Sequence, residues 1–237
     1  MNETETPAGP GKANPLPPLP PLEATASPAL IIETLLKRPA QLVLSIQEKD
    51  GLRISAILAI VAFLALAVYG FVIGTFSGGD QLLTATWKVS LGGFASAIIC
   101  LPSLFIFASL SGATVTLRGI AGALAATLAL AALLLIGFAP VAWIFSQSTE
   151  SIVFIAILHL SFWFIGLGVG LRLLGLKLKL LGIANRFHMK VWTGIFVLVS
   201  LQMTTALRPV IGKSQDILPK EKKFFLIHWK ENLTSQH

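Results

Sequence analysis

One histidine, His159, lies within the long apolar stretches of this sequence, in the segment AILHLSF. Ionisable residues inside a membrane usually mark proton relays, ion paths or catalytic sites. A haem held by two histidines would need a second one at a similar depth, but His188, His228 and His237 fall outside the apolar stretches. These stretches also contain no Ser–His–acid set, HExxH motif or carboxylate pair. We therefore interpret His159 as a packed or hydrogen-bonded helix residue, and expect no enzyme activity, cofactor or metal.

The most strongly charged feature is the segment 172–190, RLLGLKLKLLGIANRFHMK. Between residues 151 and 215 there are seven basic residues and no acidic one. Arg172, Lys179 and Arg186 recur every seven residues, so a helix would carry them on roughly one side. Anionic lipid headgroups are the natural partner, whereas a nucleic-acid partner has no fold signature to support it. The predicted lipid contacts are Arg172, Lys177, Lys179, Arg186 and Lys190.

The overall composition identifies the class of protein that carries these residues. Of the 237 residues, 54% are hydrophobic and 12% are charged, and the mean hydropathy is +0.80. Soluble domains have about 25% charged residues. Several apolar runs exceed the roughly 18–20 residues that cross a bilayer. The predicted fold class is therefore all-α, a polytopic membrane helix bundle with five transmembrane helices at 54–74, 89–110, 120–145, 152–171 and 191–207.

The chain before the first span divides into two parts. Residues 1–28 hold eight of the thirteen prolines and are predicted to form a disordered proline-rich leader, with a ligand for a proline-binding module as the alternative. Residues 29–52 read as two short amphipathic helices at the membrane surface. Ser27 suits the first cap, Pro28 the first turn, and Pro39 breaks the pattern. The transmembrane domain then covers 53–208, and a short basic tail covers 209–237.

Glycines are spaced for close contact between helices. Gly70 and Gly74 form a GxxxG pair in the first span, and Gly166 and Gly170 form another in the fourth. Such pairs let two backbones approach where lipid provides no hydrophobic drive for association. Packing within the bundle is the first interpretation, and oligomerisation is the alternative. The GLGVG run is not a nucleotide-binding loop, because it lies inside a span and no strand precedes it.

Prolines interrupt two spans and end the last. Pro102 and Pro140 each remove one helical hydrogen bond, so both spans should bend there. Broken helices can form transport sites, but proline is common in membrane helices in general. At the end of the fifth span, Arg208 is predicted to anchor the helix at the water interface, and Pro209 to end it.

The basic residues also predict an orientation. With a cytoplasmic N-terminus, eleven of the eighteen Lys and Arg residues lie inside and seven outside. The connection SQSTES between the third and fourth spans has no basic residue, which favours placing it outside. The tail, with Lys220, Lys222 and Lys223, argues the other way. We expect a multi-pass protein of the cell inner membrane or plasma membrane with a cytoplasmic N-terminus.

Five spans, a long polar N-terminus and three segments carry a family resemblance. The segments are LPSLFIFASLSGATVTLRG (101–119), FAPVAWIFSQST (138–149) and QMTTALRPVIG (202–212). Over residues 30 to 230 the chain resembles the Yip (Rab/Ypt-interacting protein) membrane family, most closely its uncharacterised bacterial relatives. The resemblance implies membrane trafficking or shaping through partner binding, and brings no catalytic residues with it. The expected function is a non-enzymatic scaffold or adaptor, with a membrane-protein partner or a homo-oligomer possible. An accessory subunit of a larger membrane complex and a small transporter are the alternatives.

Overall fold

A computed structural model describes residues 22, 26–48, 50–77, 79, 81–112, 115–181 and 186–206. Within these residues every regular element is a helix. The order is α1 (Pro28–Lys37), α2 (Pro39–Ser45), α3 (Gly51–Ser77), α4 (Gln81–Leu110), α5 (Leu117–Ser148), α6 (Ile152–Leu180) and α7 (Arg186–Ala206). Four of them, α3 to α6, are long and apolar enough to cross a membrane, and α7 is shorter. The predicted all-α membrane helix bundle is confirmed.

The two short helices begin where the sequence predicts. The Ser27 hydroxyl accepts a hydrogen bond from the amide of Leu30 at 3.3 Å, and so caps α1. Pro39 starts a new helix, because a helix usually stops before a proline. The apolar side chains of this pair are buried and belong to the same core as the long helices: Ile31, Leu35, Leu42, Val43 and Ile46. The pair therefore packs against the bundle and does not only lie on the membrane surface.

The contacts between the long helices define their directions. Gly70 of α3 lies against Ala85 of α4, and Gly122 of α5 lies against Ser55 of α3. Consequently α3 and α5 run one way, and α4 runs the other. Gly170 of α6 lies against Thr127 of α5, and Trp192 of α7 bonds to Cys100 of α4, so α6 runs with α4 and α7 runs with α3 and α5. We call the end where α3, α5 and α7 begin the basal end, and the opposite end the distal end. The α1–α2 pair lies at the basal end, where Ile46 contacts Gly122.

The most enclosed helix is α5, which lies between α3 and α6. Its buried positions are rich in alanine, glycine and leucine, and small side chains let the neighbouring backbones come close. The helix α4 packs mainly on α3, and α7 packs on α4. The outer helices α6 and α7 thus each rest mainly on one long neighbour.

One expectation about the spans changes in detail. The helix α6 runs on to Leu180, well past residue 171, so the first half of the basic segment 172–190 is the end of a long helix and not a separate connection. The helices α4 and α5 continue through Pro102 and Pro140, and the bends expected at these prolines stay predictions. Neighbouring helices and hydroxyl side chains make proline tolerable in a membrane helix.

Candidate functional site

Basic side chains are concentrated at the basal end of the bundle. We use the name basic surface for six exposed residues there, contributed by the α1–α2 junction, by the start of α3, α5 and α7, and by the end of α6. They are Arg38, Arg53, Arg118, Arg172, Lys179 and Lys190. The helices alternate in direction, so positions far apart in the sequence lie together at the basal end. The arrangement presents positive charge to negatively charged groups at this end.

An ion pair on α1 also lies at this end. Lys37 donates a hydrogen bond to Glu33 one turn earlier on α1, at 2.9 Å. The Lys37 hydrogen bond and charge hold the pKa of Glu33 below its usual value. Exposed pairs of this spacing contribute only a few tenths of a kcal/mol. The pair compensates the charge of Lys37, and Glu33 also feels the charge of the neighbouring Arg38.

The predicted lipid contacts divide according to their burial. Arg172, Lys179 and Lys190 are exposed, as a headgroup contact requires. The backbone of Arg186 begins α7, and its side chain lies outside the described part. For Lys177 the prediction of lipid contact is wrong, because its side chain is only 1% exposed and lies inside the protein.

Lys177 connects α6 to the start of α5. Its Nζ donates a hydrogen bond to the carbonyl oxygen of Gly119 at 2.5 Å. Gly119 lies in the first turn of α5, where its amide bonds to the Thr116 hydroxyl at 3.1 Å. No carboxylate pairs with Lys177 in the described part of the chain. The contact therefore places a buried amino group beside the positive end of the α5 dipole, without an acid to compensate it.

The predicted packing glycines lie at contacts between helices. A Cβ added to Gly166 would come within 3.0 Å of the Ala131 oxygen, and one added to Gly170 within 2.6 Å of the Thr127 oxygen. Both contacts lie on α5, so this pair joins α6 to its neighbour within the chain. Gly70 meets α4 in the same way, and Gly74 is buried nearby. These contacts are within one chain and do not bear on oligomerisation.

Near the distal end, a polar pair joins α3 to α6 inside the apolar bundle. The Tyr69 hydroxyl and His159 Nδ1 lie 2.8 Å apart in a hydrogen bond, and the two rings meet edge to face. Tyr69 is 2% exposed and His159 is 6% exposed. The interpretation of His159 as a hydrogen-bonded helix residue is confirmed. Its other nitrogen, Nε2, is buried and has no hydrogen-bond partner among the described residues, an arrangement that typically costs about 1–3 kcal/mol.

A second polar contact lies between Tyr69 and the distal end. The hydroxyls of Thr75 on α3 and Ser146 on α5 are 3.3 Å apart. Each hydroxyl also lies within hydrogen-bond distance of a carbonyl of its own helix, Thr75 of Val72 and Ser146 of Trp143, so one of the two can donate to the other while the second donates to its carbonyl. Polar groups on α3, α5 and α6 thus extend from near the end of α3 to the level of His159.

Trp192 joins α7 to α4 close to Pro102. The indole nitrogen donates to the Ser103 hydroxyl at 3.1 Å and to the Cys100 carbonyl at 3.3 Å. The indole is fully buried and stacks on Phe196, with the ring centres 5.1 Å apart. The region of α4 around its internal proline is therefore where α7 is attached. Arg208 and Pro209, expected to anchor and end the last span, lie outside the described residues.

Sequence reasoning did not identify three contacts: Tyr69 with His159, Lys177 with Gly119, and Trp192 with Ser103. One of them, Tyr69 with His159, had a signal in the sequence. Tyr69 is the only tyrosine in the chain, and it lies in an apolar run, as His159 does. Buried Tyr and His side chains need polar partners, so each could have been sought for the other.

Comparisons with known protein families, with characterised proteins and with solved structures find no match to this chain. The geometry above is therefore the basis for the functional argument.

Proposed function

We propose that this protein is a non-enzymatic integral membrane scaffold or adaptor of the Yip-like type, which binds anionic lipid through its basic surface. We place it in a cell inner membrane or plasma membrane, with the basal end and the N-terminus in the cytoplasm. The observation that carries the proposal is the collection of six exposed basic side chains at the end where α1 and α2 dock. Cytoplasmic leaflets are rich in anionic lipid and attract such residues.

The position of the basic surface supports a headgroup partner. Arg172 follows the first 20 residues of α6, about 30 Å at 1.5 Å of rise each, so it comes at the depth where hydrocarbon gives way to headgroups. Lys179 lies about 10 Å further along the same helix, on the headgroup side. Exposed apolar side chains stand beside the charges, among them Leu52 next to Arg53 and Leu117 next to Arg118. This mixture is typical of a surface that lies in the interfacial layer.

The lipid part of the proposal is tested by removing charges at the surface only. Changing Arg118, Arg172 and Lys179 together to glutamine should weaken retention of phosphatidylglycerol on the order of a hundredfold. The magnitude follows from about 1 kcal/mol for each basic residue near an anionic surface. Native mass spectrometry of detergent-solubilised protein, with phosphatidylglycerol and phosphatidylcholine supplied in equal amounts, measures the retention.

A matched control separates surface charge from total charge. Lys177→Met removes one positive charge from the same helix but from a buried position, so it should leave lipid retention as in the parent. Equal retention of phosphatidylglycerol by the parent and the triple variant would refute lipid binding at the basic surface.

The adaptor part of the proposal is tested by co-purification in a mild detergent followed by mass spectrometry. A scaffold is expected to purify as a homo-oligomer or with substoichiometric membrane partners. A fixed stoichiometric set of neighbours would replace the proposal with an accessory subunit of a larger complex.

A further inference from the structure

The Tyr69–His159 contact is the one polar bridge described between α3 and α6. The two helices otherwise share few contacts, because α5 lies between them. The bridge is about two turns from the start of α6 and about two turns from the end of α3. It is therefore placed to control how closely the distal halves of these helices approach.

The bridge depends on the protonation state of the imidazole. A neutral imidazole has one nitrogen that accepts and one that donates, so Nδ1 can accept from the Tyr69 hydroxyl. An imidazolium donates from both nitrogens. Protonation would force the phenol oxygen to accept, and would also place a positive charge beside an Nε2 that has no partner within the described residues.

No group on the surrounding helices can compensate that charge. None of the helices α3 to α7 contains an aspartate or a glutamate. At this level α3 provides Tyr69 and α5 provides alanine, leucine and isoleucine side chains, with the Ser146 hydroxyl further toward the distal end. On α4, Lys88 has the same sign as an imidazolium. The titratable groups of α5 and the others of α6, Arg118, Arg172, Lys177 and Lys179, belong to the basal half, and Glu150 lies outside the helices at the distal end.

We propose that the Tyr69–His159 bond is a proton-released latch, closed while the imidazole is neutral and open when His159 takes up a proton from water at the distal end. A buried cation without a counterion must be hydrated. Water can reach it from the distal end, where the Thr75 and Ser146 hydroxyls already lie. Entry of water would separate the distal half of α6 from α3, while the glycine contacts of α6 with α5 hold its middle.

The test measures the distance between the two helices directly. Spin labels on Phe76→Cys at the end of α3 and Ile152→Cys at the start of α6 are introduced with Cys100→Ala, in lipid nanodiscs. Double electron–electron resonance at about pH 7.5 and about pH 3.5 compares the two states; the lower pH lies well below the range of an ordinary histidine, because His159 is buried without a counterion. On acidification the distance should lengthen by about 3 Å or more, the width of one layer of water. Nitrogen-15 shifts of the histidine side chains report, on the same sample, whether His159 is protonated.

Two variants distinguish the latch from other effects of acid. His159→Gln keeps a side-chain acceptor for the Tyr69 hydroxyl but cannot titrate, so its distance should not change with pH. Tyr69→Phe removes the bond without adding a charge, so acid should still lengthen its distance, and any lengthening at the higher pH measures the loss of the bond alone. The latch is overturned if the parent distance stays constant while His159 is protonated, if His159 remains neutral at the lower pH, or if His159→Gln responds as the parent does. If a variant does not fold, the label distance and the protonation state of His159 in the parent at the two pH values still test the latch.

Discussion

Replacing Lys177 with methionine should stabilise the protein, although it removes a buried hydrogen bond. Methionine has nearly the same length and is also unbranched, so it can occupy the space of the lysine stem without a cavity. The lysine side chain is 1% exposed, and its one described partner is the Gly119 carbonyl at 2.5 Å. That carbonyl can bond to the α5 amide four residues later without it.

The magnitude follows from two opposing contributions. Losing a hydrogen bond that involves a charged group costs about 1.5–3 kcal/mol. Removing an ammonium that was buried without a carboxylate recovers a desolvation penalty of several kcal/mol, and apolar replacement of buried ionic groups is often stabilising by about 1–4 kcal/mol. We expect the free energy of unfolding of Lys177→Met to exceed that of the parent by about 1–3 kcal/mol.

Steric trapping in bicelles measures the unfolding free energy of a membrane protein without denaturant. Lys179→Met is the matched control, because Lys179 is exposed two residues further along the same helix, and a surface change of this kind stays within about 0.5 kcal/mol. A loss of more than about 1 kcal/mol in Lys177→Met would refute the reasoning, since it would require the amino group to have a strong partner beyond Gly119.

Further substitutions test the contacts that hold the outer helices. Gly170→Ala should destabilise the fold by about 1–3 kcal/mol through overpacking, because its Cβ would meet the Thr127 oxygen at 2.6 Å. Gly168→Ala is the control, since nothing lies within 4 Å of its added Cβ. Steric trapping in bicelles measures both variants. Equal free energies of unfolding for Gly170→Ala and Gly168→Ala would contradict the close contact. Trp192→Phe keeps most of the buried ring but loses the bond to Ser103, so α7 should be held about 1 kcal/mol less strongly. Limited proteolysis after Arg186 checks this, and an unchanged cleavage rate would show that stacking on Phe196 alone holds the helix.

The helices could be predicted because their signals are local. Long apolar runs bounded by polar connections mark α3 to α6, and Ser27 and Pro39 mark the limits of the short helices through capping and a missing amide. The predicted fourth span ends too early, at residue 171, because the basic Arg172 suggests the limit of the helix. A basic side chain at the headgroup level does not interrupt helical hydrogen bonds, so α6 continues to Leu180.

The candidate sites were harder to predict because they depend on which neighbour covers each helix side. Lys177 and Lys179 are both predicted lipid contacts, yet side chains two positions apart point about 200° apart around a helix. One of them therefore had to point away from the side shared by Arg172 and Lys179, and in the structure it is covered by α5. The partner of Lys177 is 58 residues away in the sequence and that of His159 is 90 residues away. Periodicity within one helix carries no information about such pairs.

The contacts of α6 give it a fixed centre and two polar ends. Gly166 and Gly170 hold its middle against α5, Lys177 bonds to the start of α5 at the basal end, and His159 bonds to α3 toward the distal end. From His159 to Lys177 the helix rises about 27 Å, at 1.5 Å per residue. When one of these two polar contacts is lost, the glycine contact and the other polar contact still restrain the helix. A tilt of α6 about the glycine contact is therefore the motion that this arrangement allows, and it would move both polar contacts, because they lie on opposite sides of that centre on one continuous helix.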